Sequence, residues 1–250
     1  MTDTLHGRAV IITGGGTGIG RVTAWQFADE GADVLVVGRT EDRLKETADG
    51  RPGIRTFVAD VAAPDAPERI VAAATEAFGR IDVLVNNAGI TRPAPLGEIA
   101  REIADRQLAT NLLGPLFLAQ EALPHLEASG GVIVNVTSLP GHRGWPNNSV
   151  YGATKVALDF LTRTWSVELA SRGVRVVSVA PGVTETPVMI HAGFSPERLA
   201  ASRDELLRLI PLGRLARPEE IAWWIVNAAR PEAAYLTGAV LTVDGGINVS

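Results

Sequence analysis

A chain of 250 residues is long enough to bury most of its apolar surface in one core. Hydrophobic residues make up 46% of it and charged residues 20%, which excludes a disordered chain. Lysine and arginine number 23 against 28 acidic residues, a net charge of −5 with no basic run, which excludes the electrostatic footprint of a nucleic-acid or anionic-membrane binder.

There is no cysteine, which removes disulfides, thiolate nucleophiles and Cys-based metal sites, and the four scattered histidines argue against a metal centre. The opening MTDTLHGR lacks a signal-peptide pattern, and the most apolar stretches fall far below membrane-spanning length. A cytoplasmic protein with small-molecule partners is expected.

In chain order, residues 9–13 form a β-branched run, followed by a glycine cluster and a helical pattern over 21–30. Further apolar runs at 32–37, 55–58, 83–86, 131–136, 174–179 and 240–243 suit parallel strands covered on both faces. Helical periodicity separates them at 41–49, 66–78, 97–128, 151–172 and 218–229. The pattern predicts a single α/β domain over 1–250, a doubly wound Rossmann fold with seven parallel strands flanked by helices. The stretch 183–212 follows a strand and lacks clear periodicity, so it is read as a substrate lid, with a surface insertion as the alternative.

The turn Thr13-Gly-Gly-Gly-Thr-Gly-Ile-Gly20 leaves a strand and opens a helix, where backbone amides converge on an anion and glycines admit a pyrophosphate. Arg21 and Val22 follow Gly20, so the lysine of a P-loop is missing. Gly14, Gly18 and Gly20 keep a TGxxxGIG spacing, and here the chain resembles the short-chain dehydrogenase/reductase family in its 3-oxoacyl reductase-like form. The resemblance implies cofactor contacts from Gly14, Thr17, Gly18 and Ile19.

After the second strand stand Gly38, Arg39 and Thr40 instead of a ribose-binding acid. A carboxylate repels a 2′-phosphate and a guanidinium pairs with it, so Arg39 favours NADP(H) over NAD(H), unless it is a solvated loop charge. Asp60 and Val61 resemble the family's adenine-edge contact, against the alternative of a turn-forming Asp. Asn87, Ala88 and Gly89, in an NNAG run, resemble the element that shapes the cofactor cleft. Pro181 and Gly182, with Thr184 and Thr186, resemble the element that holds the nicotinamide carboxamide.

The chain has two tyrosines and two lysines, and Tyr151 and Lys155 stand four apart on one helical face. A phenol of pKa about 10 is a poor base at neutral pH, and a fixed ammonium beside it favours the phenolate. Ser138 lies at the end of the 131–136 run, and its hydroxyl is expected to hydrogen-bond the substrate oxygen whose proton Tyr151 would give or take. Ser138, Tyr151 and Lys155 together resemble the family's catalytic set. The resemblance also assigns Asn111 to a relay whose backbone holds a water between Lys155 and solvent, and gives Tyr151 and Lys155 cofactor contacts.

The expected activity is NADP(H)-dependent interconversion of a ketone and a secondary alcohol, with Tyr151 as general acid/base and no metal. The same chemistry with NAD(H), or a nucleotide-sensing protein without chemistry, are the alternatives. His142, Arg143, Trp145, Asn147 and Asn148, with Met189, His191 and Phe194, suggest an apolar substrate pocket with polar anchors, or simply a polar loop. Phe117, Phe160, Leu161 and Trp165 extend beyond one helical stripe, and the resemblance implies a homotetramer, with a homodimer as the alternative.

Overall fold

The computed structural model describes residues 5–139, 144–187 and 206–250. Seven strands form one sheet: β1 (Ala9–Thr13), β2 (Asp33–Gly38), β3 (Ile54–Val58), β4 (Val83–Asn86), β5 (Val132–Val136), β6 (Arg175–Pro181) and β7 (Val240–Val243). Their order is β3-β2-β1-β4-β5-β6-β7, with every pairing parallel. Helices α1 (Gly18–Asp29), α2 (Glu41–Ala48), α3 (Ala66–Phe78), α4 (Arg101–Leu108), α5 (Gly114–Ser129), α6 (Ser149–Leu169) and α7 (Pro218–Ala229) accompany the sheet. This is the doubly wound Rossmann arrangement expected from the alternation. Strand order reverses between β1 and β4, which opens a crevice beyond their carboxyl ends.

Successive strand residues face opposite sides, so each strand feeds two cores. On one side Val10, Ile12, Val36, Val85, Val134, Val136 and Val179 pack with Phe27 of α1 and Ile221 and Ile225 of α7. On the other, Ile11, Leu35, Leu84, Ile133 and Val176 pack with Ile70 of α3 and Leu118 and Leu126 of α5. Burying each such side chain contributes about 2 kcal/mol. Two residues further along the strands of the second side come Thr13, Asn86, Asn135 and Ser178, and then Thr137, all buried.

Three details differ from the sequence expectation. β3 and β7 pair on one side only and expose part of their length, including Arg55, Thr56 and Thr242, because they are the sheet's edges. The helix predicted to begin at residue 21 begins at Gly18, since glycines of low helix propensity hide its first turn. The pattern over 97–128 is two helices joined by a wide π turn, Ala109–Leu113, with the Gly114 amide donating to the Ala109 carbonyl. A Cβ on Gly114 would lie 2.9 Å from the Val61 carbonyl oxygen, and Pro115 begins α5 without an amide donor. The buried positions keep three- and four-residue spacing across it, from Gln107 through Thr110, Asn111, Gly114 and Pro115 to Leu118, which is why the pattern ran through it.

Candidate active site

The turn between β1 and α1 is a cradle without room for side chains. Gly14 and Gly18 have φ of +66° and +53°, a region that favours glycine. A Cβ on Gly20 would lie 2.4 Å from the Gly14 carbonyl oxygen and 2.5 Å from Asn87 Nδ2. Asn87 Nδ2 donates to the Thr13 and Gly14 carbonyls at 2.8 and 3.2 Å, while Thr13 Oγ1 accepts from the Asn87 and Ala88 amides, each at 3.0 Å. Arg21 donates to the Gly16 carbonyl from Nε and Nη2, at 3.0 and 2.5 Å, and Thr47 Oγ1 donates to the Gly15 carbonyl at 3.0 Å. The turn is thereby fixed from three sides, with the positive end of α1 facing the crevice.

Beyond the strand ends runs a cleft of about 900 Å³. Every residue expected to touch a cofactor lines it, from Gly14, Thr17, Gly18 and Ile19 through Arg39, Thr40, Asp60 and Val61 to Asn87, Ala88 and Gly89. Tyr151, Lys155, Pro181, Gly182, Thr184 and Thr186 complete the wall, and Ser138 joins them. Thr186 packs against the cradle, its Cγ2 within 3.1 Å of where a Gly18 Cβ would stand. Thr184 Oγ1 donates to the Gly182 carbonyl at 3.1 Å.

Arg39 is exposed at the end of β2. Sequence reading passed over Arg43, which lines the same end of the cleft from α2, its Cβ 3.1 Å from a Cβ built on Gly16. It pairs with Glu46 at 3.2 Å, and Glu46 also pairs with Arg21. The signal was available as a second arginine one helical turn after Arg39. Asp60 performs the turn role: its Oδ1 accepts from the Ala62 amide at 3.1 Å and its Oδ2 from Arg106 at 2.5 Å.

At the far end of the cleft stand Thr91, Arg92, Trp145, Asn147 and Asn148. The Ala94 amide donates to the Asn147 carbonyl at 2.8 Å and Thr91 Oγ1 to Asn148 Oδ1 at 3.3 Å, which ties this wall to the start of α6. Asn147 has φ +65° there. His142, Arg143, Met189, His191 and Phe194 lie outside the described residues, as does 188–205 of the expected lid. Leu206 and Leu209, from its described end, line the cleft.

Ser138, Tyr151 and Lys155, the residues expected to carry the chemistry, line one stretch of the cleft. Ser138 and Tyr151 are hydrogen-bonded through their side chains, and Lys155 Nζ lies 5.8 Å from the centre of the Tyr151 ring. Lys155 is 3% exposed and donates to the Val136 carbonyl at 2.9 Å. The electrostatics differ from the sequence expectation. Burial pushes the Tyr151 hydroxyl above the ordinary phenol value, and the opposing influence is the hydrogen bond with Ser138. The ammonium sits over the ring, and burial lowers its own pKa to about 8, against the attraction of Asp159.

Asn111 stands behind the cleft in the π turn, fully buried. Its Oδ1 accepts from the Ile90 amide and its Nδ2 donates to the Ile90 carbonyl, both at 2.9 Å, with a further bond from Nδ2 to Thr154 Oγ1 at 3.2 Å. Its side chain therefore clamps the segment after Gly89 onto α6.

Comparison with known proteins places these features. A family profile described as enoyl-(acyl carrier protein) reductase matches residues 14–248. The 3-oxoacyl-acyl-carrier-protein reductase FabG of Thermotoga maritima is 40% identical over 248 residues, covering 97% of this chain and 98% of that protein. A Caenorhabditis elegans short-chain dehydrogenase/reductase crystallised with cofactor superposes with TM-score 0.92 at 35% identity, over 98% of this chain and 97% of that one. This chain belongs to the short-chain dehydrogenase/reductase family. L-xylulose reductase of Bos taurus is another relative within it, 37% identical over 98% of both chains. As a short-chain dehydrogenase/reductase the chain is an oxidoreductase of the alcohol–carbonyl class that uses a nicotinamide dinucleotide. No helix among its described residues is long and apolar enough to cross a membrane.

Proposed function

We propose that this enzyme reduces a ketone of moderate size to a secondary alcohol with NADPH, or runs the reverse, with Tyr151 handling the oxygen's proton. The observation that carries the reading is the hydrogen-bonded Ser138–Tyr151 pair over a buried ammonium, within the cleft that the glycine cradle opens. The cradle fits a dinucleotide, since the space a Cβ would fill at Gly14 and Gly20 is what lets a phosphate meet backbone amides. A bound nicotinamide supplies or accepts the hydride.

The remaining work falls to the chain. The first turn of α1 binds the pyrophosphate, and Arg39 and Arg43 face the adenosine end, where two cations favour a 2′-phosphate. The 181–186 segment orients the nicotinamide end, and Lys155 hydrogen-bonds its ribose. Ser138 Oγ donates to the substrate oxygen and stabilises charge developing there. Tyr151 Oη gives that oxygen its proton in reduction and takes it in oxidation. A phenol held above its ordinary pKa stays protonated through the neutral range, which suits reduction.

Exposed apolar side chains include Phe117, Phe160 and Val167 on α5 and α6, and Trp223 and Trp224 on α7. Two separate self-complementary faces on each subunit build a tetramer with closed symmetry. Light scattering of the purified protein measures this directly.

The deciding experiment incubates the protein with NADPH or NADH and a panel of ketones. Ketone-dependent loss of NADPH absorbance is expected, and none with any ketone would reject the reading. In Arg39→Asp the ratio of NADPH to NADH efficiency is expected to fall by roughly a hundredfold. An unchanged ratio would remove Arg39 from the phosphate.

A further inference from the structure

Below the reactive pair, α6 keeps a polar face turned into the protein. Thr154, Lys155, Asp159, Thr162 and Ser166 are all buried, at spacings that hold them on the side facing the sheet. Asp159 stands one turn beyond Lys155 and is 4% exposed. A carboxylate taken that far from water requires close polar partners.

Those partners form a directed chain. Ser178 Oγ, from β6, donates to Asp159 Oδ1 at 2.7 Å. Since that spends the Ser178 proton, the 2.8 Å contact between Thr137 Oγ1 and Ser178 Oγ has Thr137 as donor. Thr137 immediately precedes Ser138. The carboxylate is thus fixed to two strands, and the chain of hydroxyls ends beside the catalytic serine.

Lys155 has few other groups to hold it. From β5 it meets the Val136 carbonyl, and beyond β4 its Nζ lies near Gly89, 3.4 Å from where a Cβ on that residue would stand. β6 presents Ser178 to Asp159. Among the described residues the ionisable groups facing Lys155 are Tyr151 and Asp159, both on α6.

We propose that Asp159 is a positioning residue: from one helical turn below, its buried carboxylate holds the Lys155 ammonium charged and in place, while Ser178 and Thr137 fix that carboxylate to the sheet. The direction agrees with Asp159 being the group that opposes the loss of the Lys155 proton on burial. The proposal rests on Lys155 belonging to the catalytic set only for its importance to turnover.

The chain's lysine content supplies the test. Lys45 and Lys155 are its two lysines, and Lys45 is exposed on α2, paired with Glu41 at 2.8 Å. Lysine labelled with carbon-13 at Cε therefore gives two side-chain signals, one an internal control, and needs neither substrate nor turnover. In Asp159→Asn the Lys155 midpoint is expected to fall by about one pH unit or more, with Lys45 unmoved. In NADPH-dependent ketone reduction the alkaline limb of kcat moves down by a similar amount. An unchanged Lys155 midpoint in a folded variant, judged by circular dichroism, would reduce Asp159 to a pin between α6 and β6 and overturn the proposal. Should that variant not fold, Ser178→Ala decides: the midpoint is expected to fall by about half a unit, and no change would equally overturn it.

Discussion

The two sides of the sheet part company at the strands' carboxyl ends. Under α1 and α7 the aliphatic lining continues through Val36, Val85, Val136 and Val179. Under α6 the same level is occupied by Asn86, Asn135, Thr137 and Ser178. These polar side chains are buried as deeply as the valines, and most find one another: Asn86 Nδ2 donates to Asn135 Oδ1 and Asn135 Nδ2 to Thr162 Oγ1, both at 2.9 Å. A core that spends four inward positions on amides and hydroxyls gives up hydrophobic stabilisation there. In return it fixes α6, and with it Tyr151 and Lys155, by directional bonds that apolar contacts do not supply. Both sides bury an aliphatic core, and the side under α6 in addition holds by directional bonds the helix that carries Tyr151 and Lys155.

Perturbations on the two sides are expected to separate stability from turnover. Tyr151→Phe, on the polar side, is expected to lower kcat by roughly a thousandfold while NADPH affinity, followed by fluorescence titration, stays within about twofold. Wild-type turnover in that variant would end the assignment of Tyr151. Asn135→Leu strips partners from Asn86, whose Oδ1 is already buried without a hydrogen bond, and from Thr162. It is expected to cost about 3 kcal/mol in urea unfolding and to lower kcat as well.

Reduction also has a pH signature. The Lys155 ammonium is present below its pKa of about 8 and lost above it, while Tyr151 keeps its proton. Ketone reduction should therefore be level on the acid side of about 8 and fall on the alkaline side, about tenfold per unit at most. A profile still rising through pH about 9 would contradict the assigned roles. Val134→Ala, on the aliphatic side, is expected to be mildest, losing about 1.5 kcal/mol of stability at unchanged kcat. A large fall in kcat there would erase the distinction between the two sides.

Much of this was readable along the chain, for reasons the structure makes plain. Apolar runs of β-branched residues identify β1, β2, β4, β5 and β6 because strands covered on both faces admit little else. The glycine cradle was visible because its positions exclude any Cβ. Tyr151 and Lys155 declared themselves because one helical turn brings them together. The polar interruptions at Asn135 and Ser178 stood in plain view within their strands, yet local sequence does not say which side of the sheet carries which helix. Asp159 was hidden for the same reason, since its partner lies 19 residues away on β6. The π turn left no trace in the periodicity, and Arg43 required knowing that α2 folds back over the glycines. The raised phenol pKa depends on burial, a quantity that belongs to the fold.

The stapling of the glycine turn bears on kinetics. Arg21, Thr47 and Asn87 already hold the backbone carbonyls from Thr13 to Gly16 in place. A nucleotide arriving here finds its seat assembled, so little of its affinity is diverted to ordering the loop. Stopped-flow traces of its arrival would then consist of one phase whose rate climbs in proportion to ligand concentration, with no slower rearrangement behind it.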